Sequence, residues 1–156
     1  MPATDPFYCI GVSYKKADAA LRGRFSITTK AIPFLLEDAK NKGISSLVLS
    51  STCNRTELYA QAPNHKMLVE LLCQHSEGTI EDFQKAGNTY KGAEAISHLF
   101  RVGTGLDSQI LGDFEIISQL KKSFKVSKKI NLLSPYMERM FNAVLNASKR
   151  DRKSVV

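Results

Sequence analysis

Two short apolar runs, Leu47-Val48-Leu49 and Leu58-Tyr59-Ala60, flank the polar stretch Ser50-Ser51-Thr52-Cys53-Asn54-Arg55-Thr56-Glu57. Runs of this length bounded by polar residues read as strands. Any fold for this chain must therefore accommodate two strands joined by a tight connection, with Cys53 inside it. A backbone held at both ends in this way can present a side chain for chemistry. The hydroxyls of Ser51, Thr52 and Thr56, the Asn54 amide and the Arg55 guanidinium crowd the cysteine in sequence. A nearby cation and hydrogen-bond donors favour thiolate over thiol, and the thiolate is the nucleophile. Free cysteines are more often small buried residues, but an apolar pocket would not need this polar collar.

Strands and helices alternate as far as Tyr90. Phe7 to Tyr14 reads as a strand, with Gly11 where another backbone approaches closely. A short helical piece from Ala17 to Arg22 follows, which Gly23 is expected to end; Arg22 and Arg24 read as surface charges. Ser26-Ile27-Thr28-Thr29 supplies caps for a helix to about Lys42, with Ile32, Leu35, Leu36 and Ala39 at helical spacing and Gly43 as its stop. Pro63 is expected to open a helix that buries Met67, Leu68, Leu71 and Leu72, with Cys73 in the core. Thr79 to Lys85 reads as a short helix or turn and Asn88-Thr89-Tyr90 as an edge strand. The order strand, helix, strand, strand, helix, strand predicts an α+β fold: a ferredoxin-like antiparallel sheet covered on one face by two helices.

From Gly92 the periodicity turns helical. Residues 1–91 are thus assigned to the ferredoxin-like part and 92–156 to a helical extension. Ala95, Ile96, Leu99 and Phe100 share one helix face, and His98 lies off its centre, where a lone histidine is usually a satisfied structural residue. Gly103-Thr104-Gly105 breaks that helix; it lacks a preceding strand and a third glycine, so it is not a dinucleotide fingerprint. Asp107 to Glu115 mixes polar and apolar residues as a pocket-lining loop does. A helix from about Glu115 to Lys129 turns Ile117, Leu120 and Phe124 inward. Ser134-Pro135 opens another, with Tyr136, Met140, Phe141, Val144 and Leu145 at helical spacing.

Composition excludes some classes. The three cysteines, Cys9, Cys53 and Cys73, lie far apart, and the three histidines show no ligand spacing, which argues against a disulfide framework or a zinc site. No apolar run approaches a membrane span, the start carries no signal-peptide pattern, and reduced cysteines suit the cytoplasm. The net charge of +7 is concentrated from Lys121 to Lys153, opposed there only by Glu138 and Asp151. Such a region is either a solvated helix face or a surface for a phosphate backbone. The residues leave three readings open: thiol chemistry on a specific acyl substrate, a non-catalytic RNA-binding or regulatory module, and a general thiol hydrolase.

Several blocks together carry a resemblance: Ile10-Gly11-Val12-Ser13-Tyr14-Lys15, Leu21-Arg22, Leu49 through Tyr59, His98-Leu99-Phe100-Arg101-Val102, Gly105-Leu106-Asp107-Ser108, Ile110-Leu111-Gly112 and Gln119. Over nearly its whole length the chain resembles the N-terminal catalytic domain of glutamyl-tRNA reductases, the enzymes that open the C5 route of tetrapyrrole and porphyrin biosynthesis. The resemblance implies that Cys53 is the nucleophile that attacks the ester of glutamyl-tRNA to form a thioester. NADPH then reduces this to glutamate-1-semialdehyde, so one hard step is split into two. It implies that Thr52, Asn54, Arg55, Ser108 and Gln119 bind the glutamate. His98 matches a histidine important for activity, as proton donor or orienting group. Asp113, Phe114 and Glu115 stand where the family often has Glu-Pro-Gln, which makes them candidate substrate contacts, Asp113 toward the ammonium group. Tyr14 replaces a commoner histidine. Family members continue into an NADPH-binding Rossmann domain and a dimerisation domain that this sequence does not contain. The expectation is a chain that forms the thioester without binding NADPH, monomeric by itself, from a cytoplasmic homodimer that passes its product to glutamate-1-semialdehyde aminomutase.

Overall fold

The structure, a computed structural model, describes residues 4–107 and 115–155, with side chains as far as Lys149. In chain order the elements are β1 (Phe7–Ser13), α1 (Ala19–Phe25), α2 (Ile32–Asn41), β2 (Ser46–Ser51), β3 (Arg55–Gln61), α3 (His65–Gln74), α4 (Ile80–Ala86), β4 (Gly87–Lys91), α5 (Ala93–Gly103), α6 (Glu115–Lys129) and α7 (Pro135–Val155). The sheet order is β2-β3-β1-β4 and every neighbouring pair is antiparallel. This is the expected ferredoxin-like arrangement, with two differences in how it is covered.

First, the short pieces expected near Ala17 and Thr79 are helices of the cover, so four helices, α1 with α2 and α3 with α4, pack on the face where two were expected. Their apolar faces meet Tyr8, Ile10, Val12, Leu47, Leu49, Leu58 and Ala60. Second, the opposite sheet face is not open. Phe7, Cys9, Val48 and Tyr59 point the other way along the same strands and pack against α5, α6 and α7 through Leu99, Ile117, Leu120, Phe124, Met137 and Phe141. Apolar residues at consecutive positions, as in Phe7-Tyr8-Cys9-Ile10 and Leu47-Val48-Leu49, are what a strand covered on both faces requires. Among the described residues no helix is long and apolar enough to cross a membrane.

Local boundaries follow side-chain capping. Asp18 caps α1, and the helix continues through Gly23 because Phe25 is drawn fully into the core. α2 starts a turn later than expected, at Ile32; the Thr28 hydroxyl accepts from the Ala31 amide and closes the turn before it. Gly43, at φ +82°, ends α2 with bonds from its own N–H to Lys40 and from the Ile44 N–H to Ala39, the pairing that a left-handed glycine permits. Asn64, rather than Pro63, caps α3, and Cys73 on that helix is only half-buried. Ser134 caps α7 as expected, but the inward residue of its first turn is Met137, and Tyr136 is exposed.

Gly11 faces Glu57 across the β1–β3 pair. A Cβ there would lie 2.1 Å from the Thr56 carbonyl oxygen and 2.8 Å from the Glu57 Cα. These are backbone atoms and cannot swing aside. Gly11→Ala is expected to destabilise the chain by about 1–3 kcal/mol, read as a lower urea midpoint; an unchanged midpoint would show that the strands can separate without cost.

Candidate functional site

The β2–β3 connection is a three-residue turn, Thr52-Cys53-Asn54, locked from three sides. Within it, the Thr52 hydroxyl accepts from the amides of Asn54 and Arg55 at 3.3 Å each, and the Thr52 amide donates to the Arg55 carbonyl at 2.8 Å. From β1, the Tyr14 amide donates to the Asn54 carbonyl at 2.9 Å. From α1, Arg22 Nε donates to the Cys53 carbonyl at 3.0 Å. At its base Ser51 and Thr56 share a hydroxyl bond at 3.1 Å. The backbone of Cys53 is thereby fixed while its thiol is exposed.

The turn forms one wall of an open cleft of about 240 Å³. Ser51, Thr52, Cys53, Asn54 and Arg55 line that side; Val102 of α5, Asp107, and Glu115, Ile116 and Gln119 of α6 complete it. The second face of the sheet is covered so that the first turn of α6 comes down beside the hairpin.

Behind the cleft lies a buried charge cluster. Arg55 Nη1 meets Asp107 Oδ2 at 3.0 Å and Glu57 Oε1 at 3.4 Å, and Nη2 donates to the Asp107 carbonyl. Lys15 Nζ pairs with the other Asp107 oxygen. Tyr14 donates to the Asp107 carbonyl at 3.3 Å, and its ring lies under the Arg55 guanidinium. Glu57 also accepts from the Tyr59 hydroxyl at 2.6 Å and from His98 Nε2 at 2.7 Å. Because a carboxylate only accepts, Nε2 carries the hydrogen.

The charges hold one another ionised. Burial alone would raise the pKa of Glu57, but the hydrogen bond and charge of His98, the Arg55 charge and the Tyr59 hydroxyl hold it below the usual carboxylate range. For Asp107, burial is likewise outweighed by Lys15 and Arg55. Burial would lower the pKa of Arg55, but Glu57, Tyr59 and Asp107 outweigh it and raise the value. Burial and the Glu57 charge push the Cys9 thiol well up. Cys9, Glu57 and His98 bring three ligand-capable atoms within 4.8 Å of one another. In the structure these groups are joined to one another by hydrogen bonds, Cys9 Sγ and His98 Nε2 both to Glu57 Oε2.

Of the residues singled out in the sequence, Thr52, Cys53, Asn54, Arg55, Glu115 and Gln119 meet at the cleft. Ser108, Asp113 and Phe114 lie outside the described residues. His98 is buried, stacked on Tyr90 at 4.4 Å, and is not among the residues lining the cleft; it reaches Arg55 only through Glu57. Arg22, Glu57 and Asp107 lie in the blocks that carry the resemblance but were given no site role, and each holds part of the site. A signal existed for Glu57: a carboxylate inside a strand covered on both faces must find buried partners. For Arg22 the residues alone offered no such argument, because its target is a backbone carbonyl.

The fold and this hairpin have known counterparts. Residues 10–155 match the family model described as glutamyl-tRNA(Glu) reductase, N-terminal domain. The chain is 57% identical over 150 residues to a glutamyl-tRNA reductase of Flavobacterium psychrophilum, covering 96% of this chain and 36% of that protein. It is also 57% identical to one of Christiangramia forsetii, over 92% of this chain and 34% of that protein. The solved glutamyl-tRNA reductase from Methanopyrus kandleri superposes with a TM-score of 0.79 at 26% identity, over 95% of this chain and 34% of that one. The chain spans about a third of the length of these relatives. With its sheet, its hairpin and its sequence all in agreement, this chain belongs to the glutamyl-tRNA reductase family, whose N-terminal domain it represents.

Proposed function

We propose that this chain performs the acyl-transfer half of glutamyl-tRNA reduction. The observation that carries this reading is an exposed Cys53 on a pinned turn, at the wall of a cleft that also gathers Asn54, Arg55 and Gln119. The Cys53 thiolate adds to the ester carbonyl carbon, the bond to the terminal ribose oxygen breaks, and that oxygen leaves as the alcohol once protonated. A carbon–sulfur bond replaces the carbon–oxygen bond, and the glutamyl group stays on the protein as a thioester.

Arg55 binds the substrate carboxylate. Among the described residues, three of its five N–H groups are used in the bonds to Glu57 and Asp107, and its guanidinium lines the cleft. Gln119 and Asn54 supply amides to the same substrate, and Glu115 sits at the cleft for its ammonium group. The Thr52 hydroxyl is engaged by the turn and acts by shaping it. His98 acts as a positioning residue: it orients Glu57, which orients Arg55. Ser108, Asp113 and Phe114 keep the substrate-contact roles that the family resemblance implies.

The glycine pair at the end of α5 is no cradle for NADPH. Gly103-Thr104-Gly105 closes the C-terminal end of α5, whereas a pyrophosphate is held at a helix N-terminus. NADPH supplies the hydride in a part of the longer relatives that this chain does not span. The family resemblance likewise supports a cytoplasmic homodimer for the longer enzyme and hand-over of glutamate-1-semialdehyde to an aminomutase.

The test is intact mass after incubation with glutamyl-tRNA and no reductant. A glutamyl adduct labile to hydroxylamine is expected. Binding of tRNA with no adduct would favour the non-catalytic RNA-binding module, and equal turnover of simple esters would favour a general thiol hydrolase.

A further inference from the structure

α6 begins at the cleft and carries a row of lysines away from it. Gln119 lines the cleft, and Ile117, Leu120, Phe124 and Ser127 are buried toward the sheet and α7. Lys122, Lys125 and Lys129 follow Gln119 at steps of three, three and four residues, so they fall on one helix face. All three are exposed. At a rise of 1.5 Å per residue, this row extends about 15 Å from Gln119, long enough to meet more than one backbone phosphate.

The face has one sign. No acidic residue occurs from 116 to 137. Glu138, the next in sequence, pairs with Lys128 at 2.8 Å. Lysines in a last turn also complement the helix dipole. That accounts for Lys129, but Lys122 and Lys125 lie in the middle of α6, where the dipole has no such effect.

We propose that the Lys122, Lys125 and Lys129 face of α6 holds the phosphate backbone of the RNA end that delivers the aminoacyl ester to Cys53. The proposal rests on the acyl-transfer reading above. That reading places the terminal ribose at the cleft; the nucleotides behind it track along α6 toward its C-terminal end. Contacts of this kind set position and affinity without reading sequence.

The experiment compares the chain with the triple variant K122Q/K125Q/K129Q and with a charge-matched control, K30Q/K66Q/K85Q, whose exposed lysines lie on the elements covering the other sheet face. Two substrates are used: glutamyl-tRNA, and 3′-O-glutamyl adenosine, which carries the same ester with no phosphate. Cys53 acylation is followed by intact mass, and binding of uncharged tRNA by fluorescence anisotropy across a salt series. The expected result for the triple variant is a loss of about tenfold or more in acylation by glutamyl-tRNA at low salt, and a salt slope shallower by about 2. Acylation by glutamyl adenosine is unchanged, which also reports that the variant is folded. A triple variant with the wild-type rate and salt slope, or one no weaker than the control, would overturn the proposal. If wild type is acylated by neither ester, the acyl-transfer reading fails; the salt slope for uncharged tRNA then still decides whether this face binds the backbone.

Discussion

Cys53→Ser is expected to abolish the hydroxylamine-labile glutamyl adduct while leaving the fold and tRNA binding intact. The side chain is exposed and its neighbours hold the turn through backbone groups, so the substitution removes no packing and breaks no bond. What is lost is the nucleophile. Among the described residues no histidine lines the cleft to serve a serine hydroxyl as base: His98 is buried against Glu57. A loss on the order of 10⁴-fold or more in acylation rate is expected. An adduct of wild-type rate on Cys53→Ser would move the chemistry to another residue and remove the main support for the acyl-transfer reading.

Glu57→Gln is expected to be the most damaging conservative change outside the cleft. The Glu57 carboxylate accepts from Tyr59, His98 and Arg55 and lies 3.8 Å from the Cys9 sulfur, all within the sheet's covered face. An amide can accept at one end only; its NH₂ end would face donors. It also leaves Arg55 with one carboxylate where it had two. Breaking a buried pair in this way costs about 3–5 kcal/mol, read as a shift of the urea midpoint at neutral pH. The pH dependence carries a second signature. Glu57 and Asp107 both have pKa values lowered on folding, from 4.5 and 3.8 respectively. Their contribution is fully present above those unfolded values and is lost as pH falls through the lower folded values. Wild type should therefore lose stability on acidification below about pH 4.5, and Glu57→Gln should do so with a shallower slope. A variant with the wild-type midpoint and slope would show that the cluster contributes nothing net.

Gly11 joins this cluster to the fold. It is the position at which β1 comes close enough to β3 for Glu57 to be enclosed, so Gly11→Ala and Glu57→Gln should be coupled rather than additive in a double-mutant cycle.

The sequence by itself determined the sheet, its order and the turn that carries Cys53. Apolar runs set the strands, Thr79 and Ser134 marked the starts of α4 and α7, and the caps of α1 and α3 fall on Asp18 and Asn64, one residue past the expected Ala17 and Pro63. These are local signals, written within a few residues of where they act. Packing alone decided how Gly23 would behave, since a glycine weakens a helix by less than burying Phe25 strengthens it. Only the tertiary structure showed that α5, α6 and α7 cover the second sheet face and bring Gln119 beside Cys53. Only it turned Arg55 from a free cation into the centre of a buried network with Glu57, Asp107 and Lys15, and set His98 behind that network instead of in the cleft. Asp107 is 52 residues from Arg55 along the chain, and His98 is 41 from Glu57. No local pattern encodes a pairing at that separation. It arises because a charge buried between two covered faces must be neutralised by whatever carboxylate or imidazole the fold brings within reach.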